Sequence, residues 1–313
     1  MEFIYQIAEG CMPVLHFIQD LRTPILDTFF SLITHLGEET FFLAVAIIFF
    51  WCLNKREGYF ILVTGLLGAV TNQFAKIFFR IPRPWVLDPE FDIVESARAE
   101  ATGYSFPSGH TQNISSTYGA IAAHKPKWWK TILCVSIIGL VSFSRMYLGV
   151  HTPLDVGVSL LVSLALVLML APCFKTEERM RISMPWIIII SNLFAFGFLA
   201  YVTSISGTEG IDADNYHSAL NNAYALLGCT VALAPVYFLD RVIVKFDTEA
   251  RWYAQILKLA IGLGIVLAIK VLLKDPLISL IGNEYIARAV RYFLMVFFAG
   301  GIWPITFRWF KKI

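Results

Sequence analysis

The sequence predicts an all-α fold, a polytopic bundle of transmembrane helices. Three observations carry this. Hydrophobic residues make up 57% of the chain and charged residues only 15%. The mean hydropathy is +0.66. Apolar runs long enough to cross a bilayer recur along the whole length, and a soluble domain rarely carries so little charge. The net charge of +2 is too small to point to a nucleic-acid partner. The five cysteines (Cys11, Cys52, Cys134, Cys173 and Cys229) are scattered and form no CxxC pair, so they read as small apolar packing residues.

Apolar windows give about nine spans, at 38–53, 58–79, 110–124, 129–146, 153–174, 185–203, 218–239, 252–273 and 287–307. The first is short, and the third is short and polar at its start. Residues 11–36 mix Asp20, Arg22 and Asp27 with apolar side chains, which fits a segment lying at the interface better than a spanning helix. The N-terminus lacks a basic run, so no cleaved signal peptide is expected.

Basic residues set the orientation. Lys55 and Arg56 follow the first window. Lys125, Lys127 and Lys130 separate the third and fourth, Lys175, Arg179 and Arg181 follow the fifth, and Arg241, Lys245 and Arg251 follow the seventh. Arg308, Lys311 and Lys312 close the chain. These alternate loops fall on one side, which reads as cytoplasmic, with the C-terminus on it. The opposite loops are acidic, with Asp88, Glu90, Asp92, Glu95 and Glu100 in 80–107 and Glu209, Asp212 and Asp214 in 204–216.

Three short runs carry chemistry, and all sit at the non-cytoplasmic side. In Lys76-x6-Arg83-Pro84, Pro82 and Pro84 end a helix and leave two cations at the head of a loop. Arg offers a planar fork to phosphate oxygens and Lys a point charge; the plainer alternative is snorkelling. In Pro107-Ser108-Gly109-His110, Ser108 can cap the next helix and Gly109 admits close backbone approach. Free amides at a helix start bind anions, and His110 stands where it could protonate a leaving oxygen. A simple cap beside an interfacial histidine is the alternative. In Ser144-Arg145-x5-His151-x3-Asp155, Thr152-Pro153 reads as N-cap and first helical residue, with Asp155 in the first turn. At four residues' spacing the carboxylate can hold one imidazole nitrogen of His151 and leave the other free, as a nucleophile or base needs. Alternatively Asp155 only caps its helix. Three charged clusters on one face of so apolar a chain favour a shared use, because buried ionisable groups are expensive.

These three runs, with their spacing, resemble the signature of the type 2 phosphatidic acid phosphatase superfamily, which also includes vanadium haloperoxidases and glucose-6-phosphatases. The resemblance covers roughly residues 38–200. It implies a six-helix phosphatase core that works without a metal or other cofactor. In that reading His151 attacks phosphorus and forms a phosphohistidine, Asp155 orients His151, and His110 protonates the leaving group and then activates water. Lys76, Arg83 and Arg145 neutralise the nonbridging oxygens, helped by Ser108 and the Gly109 amide; Ser144 belongs to the pattern. The chain then divides into an N-terminal interfacial segment (1–37), the phosphatase core (38–205) and a C-terminal accessory transmembrane unit (206–313).

A membrane-level, outward-facing site favours a lipid phosphate or a polyprenyl pyrophosphate as substrate, with Phe78, Phe79 and Trp85 as interfacial or tail contacts. Two other functions fit the same residues: a phosphatase of a water-soluble sugar phosphate, as the stretch Arg83 to Asp88 suggests, and a non-enzymatic lipid or anion transporter using the cations as a binding site. A haloperoxidase is disfavoured because those relatives are soluble.

Overall fold

The computed structural model describes residues 2–98, 101–208 and 210–311; Glu100, Glu209 and Lys312, named above among the loop charges, lie outside them. The regular structure among these residues is helical throughout. The chain forms two compact units, one made of residues 1–45, 67–172 and 207–219, the other of 46–66, 173–206 and 220–313. All three sequence motifs fall in the first.

The first unit begins with three short helices, α1 (Glu2–Gly10), α2 (Met12–Asp20) and α3 (Pro24–Thr34). Proline at their first turns and the Thr23 side chain, which accepts from the Leu26 amide, start α2 and α3. α4 (Glu39–Ile48) and α5 (Lys55–Phe79) follow and are shared between the units. α5 stops three residues before Pro82: Arg80 turns left-handed at φ 55° and the Arg80 amide bonds back to the Lys76 carbonyl. α6 (Pro84–Leu87) is a single turn, and α7 (Gly109–Ala123), α8 (Trp128–Tyr147) and α9 (Pro153–Leu170) complete the unit. α7 packs against both α8 and α9.

The second unit holds α10 (Glu177–Ser204), α11 (Ala213–Phe238), α12 (Trp252–Leu272), α13 (Lys274–Ile281), α14 (Glu284–Phe297) and α15 (Phe307–Phe310), although the start of α11, up to Ala219, belongs to the other unit. Its buried charges include Asp240 and Lys258, and both have partners. Asp240 accepts from Lys55 Nζ at 3.0 Å and from Tyr59 Oη at 3.1 Å. Lys258, fully buried, donates to the Trp51 carbonyl at 2.8 Å and lies over the Phe307 ring. Lys258 is therefore an interior cap on the turn at residue 51.

Seven helical stretches among the described residues are long and apolar enough to cross a membrane, and an eighth counts if Pro24–Gly37 and Glu39–Leu53, bent by 53°, form one span. The sequence windows numbered nine. The difference lies at 38–53, which qualifies only with α3 attached, and at 110–124, where α7 has 15 residues. α7 is polar because its buried face is polar: Gln112 Nε2 donates to Ser163 Oγ at 2.8 Å, and Ser159 Oγ donates to the Ser108 carbonyl at 2.9 Å. A hydropathy window reads such a face as unsuited to lipid, although neighbouring helices satisfy it.

The segment expected to lie at an interface is tied down on one side and apolar on the other. Phe3, Phe17, Ile25 and Leu32 are strongly exposed. Arg22 donates to the Tyr147 carbonyl at 2.9 Å and the Asp92 carbonyl at 2.7 Å, Tyr147 Oη donates to Asp27 at 2.8 Å, and His16 pairs with Asp88 at 2.8 Å. Arg22 reaches Tyr147 because Gly149 leaves room. Gly149 has φ +80°, and a Cβ there would stand 2.7 Å from Arg22 Nη2 and 2.9 Å from the Phe91 ring. Gly149→Ala should therefore lower stability by about 1–3 kcal/mol, read as a lower thermal midpoint in detergent. Gly157→Ala, in open space on α9, should leave the midpoint unchanged or slightly higher. Equal midpoints for the two variants would refute the account of the turn.

Candidate active site

The site is built at the ends of α5, α7, α8 and α9. Thr152 is the N-cap of α9 and Pro153 its first residue. The Thr152 hydroxyl accepts from the Asp155 amide at 3.2 Å, and Asp155 Oδ2 accepts from the Thr152 amide at 2.8 Å, a closed capping box. The same oxygen lies 3.3 Å from His151 Nδ1. The two sequence readings of Asp155, helix cap and histidine partner, are thus both present on one atom. Ser105 Oγ adds a third donor to it at 2.5 Å.

The other side of the imidazole fixes its tautomer. His151 Nε2 is 3.1 Å from Arg83 Nη1. A guanidinium can only donate, so Nε2 holds a lone pair and the ring proton sits on Nδ1, facing Asp155. Burial, then the positive charges of Arg83, Lys76 and Arg145 with a smaller influence from His110, hold the His151 pKa well below the usual histidine value. The result is a neutral imidazole whose free electron pair points toward fixed positive charge.

The cations themselves are buried and held by neutral acceptors. Arg83 donates to the carbonyls of Gly103, Thr102 and Val150 at 3.1, 2.7 and 2.9 Å. Lys76 Nζ donates to the carbonyls of Tyr104 at 2.6 Å and Ser105 at 3.3 Å. Arg145, in the last turn of α8, donates from Nη1 to Thr34 Oγ1 at 2.6 Å. None of these bonds cancels the charge, so the cluster keeps its pull on an anion.

Ser108 caps α7, its hydroxyl accepting from the Thr111 amide at 3.4 Å, and it is fully buried. Gly109 is the first helical residue and His110 the second. The Ser108 amide donates to the Asp155 carbonyl at 3.2 Å, which fastens the second motif to the third. Ser144 is turned away: its hydroxyl donates back to the Val141 carbonyl at 2.6 Å. Phe79 packs edge-on against Phe106, beside buried Ile81, and so serves the interior, whereas Phe78 is exposed and Trp85 lies under the guanidiniums of Arg83 and Arg98.

All eight sequence-selected residues (His151, His110, Asp155, Lys76, Arg83, Ser108, Gly109 and Arg145) lie in the first unit. Sequence reasoning missed Ser105 and Thr34. Ser105 stands two residues before the Pro107-Ser108-Gly109-His110 motif, and its hydroxyl between Tyr104 and Phe106 was the available signal. Thr34 is 111 residues from its partner and had none. Among the described residues no three His, Cys, Asp or Glu side chains form a metal-ligating group.

Residues 56–179, which contain every motif residue, match the PAP2 superfamily, and residues 224–312 match the PAP2 superfamily phosphatase transmembrane extension. A probable sphingosine-1-phosphate phosphatase of Dictyostelium discoideum is 28% identical over 65% of this chain and 50% of its own length. The lipid A 4'-phosphatase of Porphyromonas gingivalis is 31% identical over 50% of this chain and 68% of its own. The phosphatidylglycerophosphatase B of Bacillus subtilis is 31% identical over 44% of this chain and 69% of its own. The chain therefore spans about half to two-thirds of the length of these curated relatives. With two bacterial relatives above 30% identity and the motif residues gathered inside the matched segment, the chain belongs to the PAP2 superfamily.

Proposed function

We propose that the protein is an integral-membrane phosphohydrolase that removes phosphate from a lipid phosphate or polyprenyl pyrophosphate through a phosphohistidine, without a metal. The observation that carries this is the neutral His151 ring, with Nδ1 on Asp155 and Nε2 against Arg83. The lipid nature of the substrate is supported by the multi-pass chain and by the names of its relatives.

The reaction runs in two displacements. A phosphate group enters among Lys76, Arg83 and Arg145, and one nonbridging oxygen takes the Arg83 N–H that rests on His151 Nε2. That exchange frees the lone pair at the moment the phosphorus arrives. Nε2 attacks, the P–N bond forms and the P–O bond to the lipid breaks, while protonated His110 gives its proton to the leaving oxygen. His151 gains positive charge, which Asp155 offsets across Nδ1–H. His110, now neutral, takes a proton from water. The hydroxide attacks phosphorus, the P–N bond breaks and inorganic phosphate leaves. Phosphoryl transfer asks the protein for position and charge stabilisation, and three held cations with the Ser108 cap and Gly109 amide supply both. The accessory role of residues 206–313 is supported by the separate match at 224–312.

The test is phosphate release by purified protein from lipid phosphates, polyprenyl pyrophosphates and water-soluble sugar phosphates. Release should fall as the lipid tail is shortened, persist with chelator, and vanish in His151→Ala while the protein stays folded. A best rate on the soluble esters would return the substrate to the sugar-phosphate reading. Undiminished release by His151→Ala would remove the nucleophile, and transport without release would support an anion carrier.

The pH profile gives a second expectation. A depressed His151 pKa keeps the ring neutral as pH falls, so its limb in kcat/KM should lie below the ordinary histidine value of about 6.5. Arg83→Gln removes a positive neighbour, raises that pKa and should move the limb to higher pH. A limb that stays in place in this variant would contradict the charge argument.

The active site is proposed to face away from the cytoplasm, with the C-terminus inside, from the distribution of Lys and Arg. A cysteine at Ser206, in a background lacking the native cysteines, should react with an impermeant maleimide on intact cells. Reaction only after lysis would reverse the orientation.

A further inference from the structure

We propose that Thr34, at the end of α3, is a positioning residue of the active site that acts through Arg145. The proposal rests on the phosphatase reading above and extends the working site beyond the 56–179 segment that matches the family.

Thr34 is buried, 3% exposed, and its Oγ1 accepts from Arg145 Nη1 at 2.6 Å across 111 residues of sequence. Arg145 is 1% exposed and sits in the last turn of α8. An arginine has four side-chain torsions to settle, and a fork that must meet phosphate oxygens in one orientation gains from having one arm fixed beforehand. A hydroxyl suits this task. It orients the guanidinium as a neutral acceptor and leaves the full charge for the anion, whereas a carboxylate at the same place would quench it. Arg83 and Lys76 follow the same logic with backbone carbonyls from 102–105 and 150. Arg145 meets a side chain supplied from α3 instead.

The residues after Thr34 keep that hydroxyl in place. The short turn His35–Gly37 lies on the start of α7: Asn113 Nδ2 donates to the Gly37 carbonyl at 3.2 Å, and a Cβ on Gly37 would come within 2.9 Å of His110 Cβ. The close approach of backbone to helix is possible because residue 37 has no side chain. The turn is thereby registered against the helix that carries His110, and Thr34, immediately before it, is registered against Arg145. The same segment bears the exposed apolar residues Ile25 and Leu32, so its seating depends on a hydrophobic surround that the intact membrane or a detergent micelle provides.

The experiment compares Thr34→Val, which keeps shape and removes the acceptor, with Thr34→Ser, which keeps the acceptor. Both are measured for phosphate release on the best lipid substrate beside wild type, His151→Ala, and the Thr34→Val change in an Arg145→Lys background. Thr34→Val should lower kcat about tenfold to a hundredfold, the size expected of a hydrogen bond to a charged group, with a smaller change in KM and weaker inhibition by vanadate. Thr34→Ser should stay near wild type. In the Arg145→Lys background the further loss from Thr34→Val should shrink to within about twofold, because its route is already gone. Should Thr34→Val not fold, Thr34→Ala gives the same comparison. Wild-type kcat in the valine or alanine variant, or a loss undiminished when Arg145 is lysine, overturns the proposal. These results are separable from failure of the phosphatase reading, which shows as no release by wild type or as unchanged release by His151→Ala.

Discussion

The structure around the motifs depends on one oxygen atom. Asp155 Oδ2 takes the Thr152 amide, the Ser105 hydroxyl and the His151 ring. Each bond belongs to a different level of organisation. The first closes the N-terminus of α9, the second pins the loop that leads into α7, and the third sets the imidazole. A buried carboxylate is costly unless its lone pairs are used, and here the donors that make it tolerable are the groups that must be held still. The site and the fold are therefore stabilised by the same contacts. An amide at this position would have the right shape but would offer Nδ1–H a weaker acceptor and lose the negative charge that an imidazolium needs.

A second constraint follows from placing three cations close together in a dry setting. Mutual repulsion and desolvation both oppose it. The chain answers with carbonyl oxygens from 102–105 and 150 and one threonine hydroxyl. Dipoles reduce the cost of burial without consuming the charge, so binding an anion remains favourable. The carboxylate is reserved for the histidine. A site that paired each cation with its own acid would be more stable when empty and poorer at holding phosphate.

The parts of this arrangement that could be read from the sequence are those with local spacing. Thr152, Pro153 and Asp155 announce a cap within four residues, and Pro82 with Pro84 announces the end of α5. The polar runs stand out because the rest of the chain is apolar. Where partners are backbone carbonyls, as for Arg83 and Lys76, residue identity says nothing, since every residue has one. Where the partner is distant, as Thr34 is from Arg145, no periodicity connects them. The short α7 shows a different limit. Its polar face was read as weakness in a spanning helix, but it is the seam with α9. Likewise Arg22 and Asp27, the charges that mark an interfacial segment, also serve as ties to Tyr147.

That seam fixes how the helix starts that carry His110 and His151 lie against each other. Ser159 holds the Ser108 carbonyl, Gln112 holds Ser163, and the Ser108 amide holds the Asp155 carbonyl. These are three bonds along one pair of helices, so a slip of α7 by one turn against α9 would break all of them and leave their groups unpaired in an apolar setting. Gly119 adds a steric limit, since a Cβ there would stand 3.1 Å from Val167. Register between α7 and α9 is thus set by polar contacts at one end and close packing at the other. His110 is carried on one helix and His151 on the lead into the other. Their relative placement is consequently a property of the helix pair, and it survives thermal motion of either side chain better than any single contact between the rings could secure.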